Sequence, residues 1–228
     1  MRSIKKIGFI VFFLFVGLSS CQIKLGKKGI DQGIIKYQIT YLQSESDNPL
    51  ISLMPTYLNM SFKNNSVLME VEGWMGVFKS SFIKQFDLNR SVTVLKVMNK
   101  KYYVINKGTG DFMGMKAFDN IQITFDEQTK AILDFQCKHC QVVIPDKKLT
   151  FDVFYTDEIR IENPNAQTPF HKIPGVMLQF QIVANGIPMS LIASEINESE
   201  VPDEIFFIPV GYEEVTQETI DKIFFELI

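Results

Sequence analysis

Apolar and polar positions alternate along most of this chain with a period of two. From Gly33 to Gln43, Ile35, Tyr37, Ile39 and Tyr41 fall on one side, and Lys36, Gln38 and Thr40 on the other. Successive side chains of a strand point to opposite faces, so this is a half-buried first strand. Tyr57 to Lys63 repeats the pattern with Leu58, Met60 and Phe62. Ser66 to Glu72 answers with Val67, Met69 and Val71 inward and Leu68, Glu70 and Glu72 outward. Asn64-Asn65 between them tolerates positive φ and makes a hairpin turn. Val77 to Phe86, Ser91 to Met98 and Tyr102 to Asn106 extend the meander. Asp87-Leu88-Asn89-Arg90 and Asn99-Lys100-Lys101 are its turns.

Ile121 to Phe125 is a short strand ending at Asp126-Glu127-Gln128-Thr129. Ala131 to Ala193 then supplies four runs. Two flank the turn Pro145-Asp146-Lys147-Lys148. Two more flank Asn185-Gly186, beyond a long polar loop and Ile173-Pro174-Gly175. Leu50 to Thr56 is apolar but too short to assign, and Val201 to Pro209 reads as irregular or briefly helical. Near the end Thr216 can cap a helix whose Ile220, Ile223, Phe224 and Leu227 form one apolar stripe. The pattern predicts a mainly β protein: an antiparallel half-barrel of about ten or eleven strands, with short helices or loops on its concave side and a C-terminal helix.

The first residues depart from this rhythm. Arg2, Lys5 and Lys6 precede an apolar run, Ile7 to Val16, of signal-peptide length. Leu18-Ser19-Ser20-Cys21 follows, and it resembles the lipobox of bacterial lipoproteins, in which the cysteine is lipidated after cleavage. The resemblance implies a signal peptide over 1–20, a lipid anchor at Cys21, a tether over 21–32 and a single β-rich domain over 33–228. Gln22 is not the Asp of an inner-membrane retention signal. The expected location is therefore the cell envelope, anchored to the outer membrane and facing the periplasm.

Of 23 basic residues, three lie in the leader, so 20 face 26 acidic ones, a net of −6. Ten acids stand against Lys222 alone from Glu195 onward. An acidic chain with no basic stripe excludes nucleic acid as the expected partner. No Gly-x-Ser-x-Gly elbow, phosphate loop or His-Glu-x-x-His motif is present, and there are two histidines, so no enzyme activity and no cofactor are expected.

Cys137-Lys138-His139-Cys140 has the spacing of a redox pair or half a zinc site. On a regular strand residues three apart face opposite ways, which favours plain packing and solvent-facing thiols. A local disulfide at a bulge, or a metal held with His139 or His171, stays open. Two apolar loops are the candidate ligand-binding elements. Gly73-Trp74-Met75-Gly76-Val77-Phe78 offers Trp74, Met75 and Phe78. Gly110-Asp111-Phe112-Met113-Gly114-Met115 offers Phe112, Met113 and Met115. Methionines and aromatics suit a site that adapts to flexible apolar chains, and the same loops could instead plug the barrel.

Four segments carry a wider resemblance: Ile132-Leu133-Asp134-Phe135-Gln136-Cys137-Lys138, Phe154-Tyr155-Thr156-Asp157-Glu158-Ile159, Ile173-Pro174-Gly175 and Phe207-Ile208-Pro209-Val210-Gly211-Tyr212. They resemble the envelope proteins of Bacteroidetes-type bacteria related to the group named for its GLPGLI signature. Leu133-Asp134-Phe135 stands for the more usual Leu-Gly-Tyr, and Ile173 for the Leu before Pro-Gly. The resemblance covers 130–212 and implies a fold like that of the lipoprotein carriers LolA and LolB, half-barrels that hold acyl chains. It carries over no catalytic residue. The expected function is thus a non-catalytic envelope lipoprotein that binds a lipid or other apolar ligand. The alternatives are an envelope protein-interaction module, and a metal or thiol-redox protein using Cys137 and Cys140.

Overall fold

The computed structural model describes residues 29–46, 48–73, 76–106, 120–166, 168–184 and 186–227, with side chains described as far as 224. It is mainly β. Twelve strands form one open mixed sheet among the described residues, with one C-terminal helix. The strands are β1 (Gln32–Tyr41), β2 (Tyr57–Lys63), β3 (Ser66–Gly73), β4 (Phe78–Gln85), β5 (Arg90–Val97), β6 (Lys100–Asn106), β7 (Gln122–Ile132), β8 (Phe135–Ile144), β9 (Leu149–Thr156), β10 (Val176–Ala184), β11 (Ile187–Asn197) and β12 (Glu213–Glu214). The helix α1 spans Gln217–Leu227.

Their spatial order is β12-β6-β5-β4-β3-β2-β1-β11-β10-β9-β8-β7. The first strand lies inside the sheet, paired on one side with β2 and on the other with β11. The edges of the sheet are β12 and β7, and β6, next to β12, lies far in the order from β7, its successor in sequence.

The predicted alternation holds across β1 to β3. Ile35, Tyr37, Ile39, Leu58, Met60, Phe62, Val67 and Val71 are buried in the main core. Asn64 and Asn65 turn with φ of 44° and 58°, as their tolerance of the left-handed region allows. Leu68 points outward as predicted, yet it is buried there. Val201, and Phe206 at the end of the 3-10 turn Asp203–Phe206, cover it, and Ile83, Val92 and Val94 pack in the same cluster. The chain then rounds the β6 edge. β12 pairs with β6 in parallel, and α1 packs Ile220, Ile223 and Phe224 on Leu95 and Val104 of the other face. Thr216 caps α1, its hydroxyl accepting from the Thr219 N–H at 3.2 Å.

Three expectations need correction. The strand count is twelve and not ten or eleven, because Glu213-Glu214 carries no apolar alternation and pairs only where the chain crosses the edge. Asp126 to Thr129 is not a turn. Phe125 pairs with Cys140 and Thr129 with Lys138, so β7 bulges here and runs on to Ile132. The turn falls at Leu133-Asp134, Leu133 adopting φ 53°, inside what reads as one strand. Finally, neither Cys137 nor Cys140 faces solvent. Both are fully buried in the same core cluster, beside the β7 bulge that interrupts the regular pairing.

Candidate apolar ligand site

The inner faces of β1 to β4 meet those of β10 and β11 around an apolar cavity of about 60 Å³. Its walls include Tyr37, Met60, Met69, Phe82, Met177 and Phe180. The segment between β9 and β10 forms its roof through Ile161, Pro164, Ala166 and Phe170. Alternation sends every second strand residue inward, and these strands place Leu, Met, Val and Phe at those positions.

The roof is held by side-chain hydrogen bonds. Buried Asn165 donates its amide to the carbonyls of Ile173 (2.8 Å) and Gly175 (2.9 Å). Thr168 Oγ1 accepts from the Phe170 N–H at 3.1 Å and donates to the Asn165 carbonyl at 2.8 Å. Phe170 packs edge-on against Phe151, with ring centroids 6.3 Å apart. Gly175 belongs to this closure, since a Cβ there would drive into the Thr156 carbonyl. On the floor, Tyr37 donates its hydroxyl to the Met177 carbonyl at 3.0 Å, and burial holds the phenol far above its usual pKa.

One charged side chain stands in the apolar wall. Lys84 is 5% exposed, and burial lowers its pKa. Its ammonium lies 5.7 Å from the centre of the Phe86 ring. Lys84, Phe86 and Ala166 also border a second, polar basin of about 270 Å³, completed by Asp87, Asn89, Glu162 and Asn163. Lys84 therefore sits where the apolar cavity meets a polar mouth. Asn65 fastens that mouth: its amide donates to Asp87 at 3.2 Å, and its side-chain oxygen accepts from the Glu162 N–H at 2.8 Å.

Of the predicted ligand residues, Phe78 is described. It packs edge-on against Phe224 of α1, with centroids 5.8 Å apart, between helix and sheet, and the cavity is lined by other residues. Trp74, Met75, Phe112, Met113, Met115 and the lipidation candidate Cys21 lie outside the described residues. Periodicity already marked Tyr37, Met60 and Met69 as inward. Lys84 and the roof escaped it, because a lysine on a strand reads as solvent-facing and the roof has no period.

Cys137 and Cys140 are free thiols with no exposure. Burial pushes their pKa values up to about 11 and about 12. Such thiols carry almost no thiolate at neutral pH, and the thiolate is the reactive form. His139 sits between two carboxylates: Nδ1 is 2.8 Å from Asp126 and Nε2 is 3.2 Å from Asp152. Among the described residues, no three His, Cys, Asp or Glu side chains gather as a metal would require. Nor is any helix among them long and apolar enough to cross a membrane.

No family model and no curated protein matches this chain. Its fold is similar to part of a solved structure of PNGF-II in C2 space group. The TM-score is 0.53 at 13% identity, covering 86% of this chain and 33% of that one. The chain thus spans about a third of that neighbour's length, and the likeness is one of fold alone.

Proposed function

We propose that this protein is a non-catalytic lipoprotein of the cell envelope, anchored through Cys21 to the outer membrane. Its open sheet curls into a half-barrel that binds a lipid or other apolar ligand. The observation that carries this reading is the apolar cavity roofed by the 161–170 segment. Curling has its own support. β4 and β10 are five strand steps apart, roughly 24 Å in a flat sheet at about 4.8 Å a step. Yet Phe82 of β4 and Met177 of β10 line the same cavity.

The anchor and the cavity are also close along the chain. Ile30 bridges to Ile159 at the start of the roof segment, donating to the Glu158 carbonyl and accepting from the Arg160 N–H, both at 2.9 Å. Gly29 lies eight positions after Cys21, a reach of at most about 28 Å. A tether that short keeps the roof near the bilayer from which an apolar ligand would come. The lipobox and the resemblance to GLPGLI-related envelope proteins support the same location.

A second reading, a protein-interaction module, is favoured by one observation. Phe207 and Val210 stand 56% and 98% exposed on one short segment, an apolar tip of the kind a partner covers.

Native mass spectrometry of the Cys21→Ser chain, followed by organic extraction, separates the two. The ligand reading expects an apolar mass that is lost on denaturation. A stable protein with only its own mass would shift the assignment to the interaction module.

A further inference from the structure

Strand pairing gathers several turns at one end of the sheet, and the chain enters the sheet at that same end. Gln32, where β1 begins, pairs with Lys63, and Ser66 with Gln85, so the β2–β3 and β4–β5 turns lie beside the start of β1. Following the pairs from β1 through β11, β10 and β9 to β8 brings the β7–β8 turn to this end as well. The roof segment leaves β9 and rejoins β10 here, and Ile30 bridges to it at Ile159. The polar basin bordered by Asp87, Asn89, Glu162 and Asn163 belongs to the same rim.

Two hairpin tips on this rim carry a leucine. Leu88, in the β4–β5 turn, is 66% exposed, and Leu133, in the β7–β8 turn, is 48% exposed. Exposed apolar residues taken singly are ordinary, and Met98, in the β5–β6 turn at the opposite end, is as exposed as they are. The tether tells the two ends apart. Cys21 lies eight positions before Gly29, and that length reaches at most about 28 Å. β1 alone, with ten residues, rises roughly 30 Å. Standing on the Met98 end would stretch the tether to its limit, whereas standing on the Leu88 and Leu133 end leaves it slack.

Charge selects the lipid. Each leucine is flanked by an exposed aspartate, Asp87 and Asp134. An anionic surface repels both, and the cationic groups of zwitterionic heads attract them.

We propose that this rim docks on a bilayer of zwitterionic lipid, with Leu88 and Leu133 entering its apolar boundary and the mouth of the cavity facing the lipid. The inference rests on the proposed anchor at Cys21 and adds which end of the protein meets the membrane.

The test uses the lipidated protein reconstituted in phosphatidylcholine vesicles that contain nitroxide-labelled lipid. Leu88→Cys, Leu133→Cys and Met98→Cys each carry a bimane fluorophore. Cys137 and Cys140 are buried and take no label, and the acyl group blocks Cys21. Met98 is a matched control, since it shares with Leu133 an exposed turn and a left-handed φ, 53° in both. Fluorescence should be lost at 88 and 133 and retained at 98. Adding phosphatidylglycerol to the vesicles should lessen the loss at both tips. Leu88→Asp should lessen the loss at 133, because both tips share one contact.

Fluorescence retained at 88 and 133, or lost equally at 98, in a protein that floats with the vesicles would overturn the docking and leave the anchor intact. A protein without an acyl group on Cys21 that does not float would overturn the anchor reading and this inference with it.

Discussion

Tyr37 of β1 donates its hydroxyl to the carbonyl of Met177 on β10, reaching across β11, which lies between them. Met177 stands where β10 slips register against β9. The bond therefore pins an irregular part of the sheet from inside the core. Tyr37→Phe keeps the ring but leaves a buried carbonyl without this donor, which costs about 1–3 kcal/mol. Urea unfolding should show a lower midpoint of that size with an unchanged slope.

His139 makes stability depend on pH. Burial pulls its imidazole pKa down, but hydrogen bonds to Asp126 and Asp152 outweigh that, and the pKa ends above its ordinary 6.5. A raised pKa stabilises fully below the unfolded value and is lost as pH rises through the folded one. The His139 bond in turn lowers the pKa of Asp126, whose contribution is present above its unfolded value and fades as pH falls through the folded one. The ion pair thus fastens the bulge of edge strand β7 to β8 and β9 in mildly acid solution. Amide exchange of residues 122–132 should quicken as pH rises above 6.5, after correction for intrinsic rates. In His139→Gln that pH dependence should be absent.

Both core cysteines should be silent in the native protein. Their burial and raised pKa values predict no reaction with a disulfide reagent at pH 8. Both should react once the chain is unfolded in guanidinium. Rapid native labelling, or a mass two protons lower, would show a thiol pair that works.

The cavity sets a limit on tail length. In a series of n-alkanols, each added methylene should improve binding by about 0.8 kcal/mol until the 60 Å³ space is filled, and further carbons should add little. A gain that continues at the same rate would mean the roof over Ile161 to Phe170 lifts.

Much of the fold was legible in the residues because a half-buried strand writes its burial as alternation. Ile35, Tyr37 and Ile39, or Leu58, Met60 and Phe62, announce both an element and its inner face. Where a face is covered by something distant, the signal fails. Leu68 reads as a stray outward leucine until Val201 and Phe206 are seen to lie on it. The bulge at Asp126 to Thr129 looked like a turn, because bulges and turns draw on the same polar residues. The site was less legible than the fold. The Met-rich wall followed from the pattern. By contrast, Lys84 belongs to the core through the curl of the sheet, and no local sequence feature separates it from a surface lysine. The roof is fixed by the two hydrogen bonds of Asn165, which have no period to read.

The central claim, that an apolar ligand occupies this cavity, is tested most directly by methyl NMR of the methionines. Met60, Met69 and Met177 line the cavity, whereas Met98 is 69% exposed in the turn between β5 and β6. Titrating the Cys21→Ser chain with n-propanol, short enough for a space of about 60 Å³, should move the Met60, Met69 and Met177 methyl signals together along one saturating curve and leave Met98 in place. If those three signals stay fixed, or Met98 shifts as much as they do, the alcohol is not entering the cavity and the ligand-binding account is wrong.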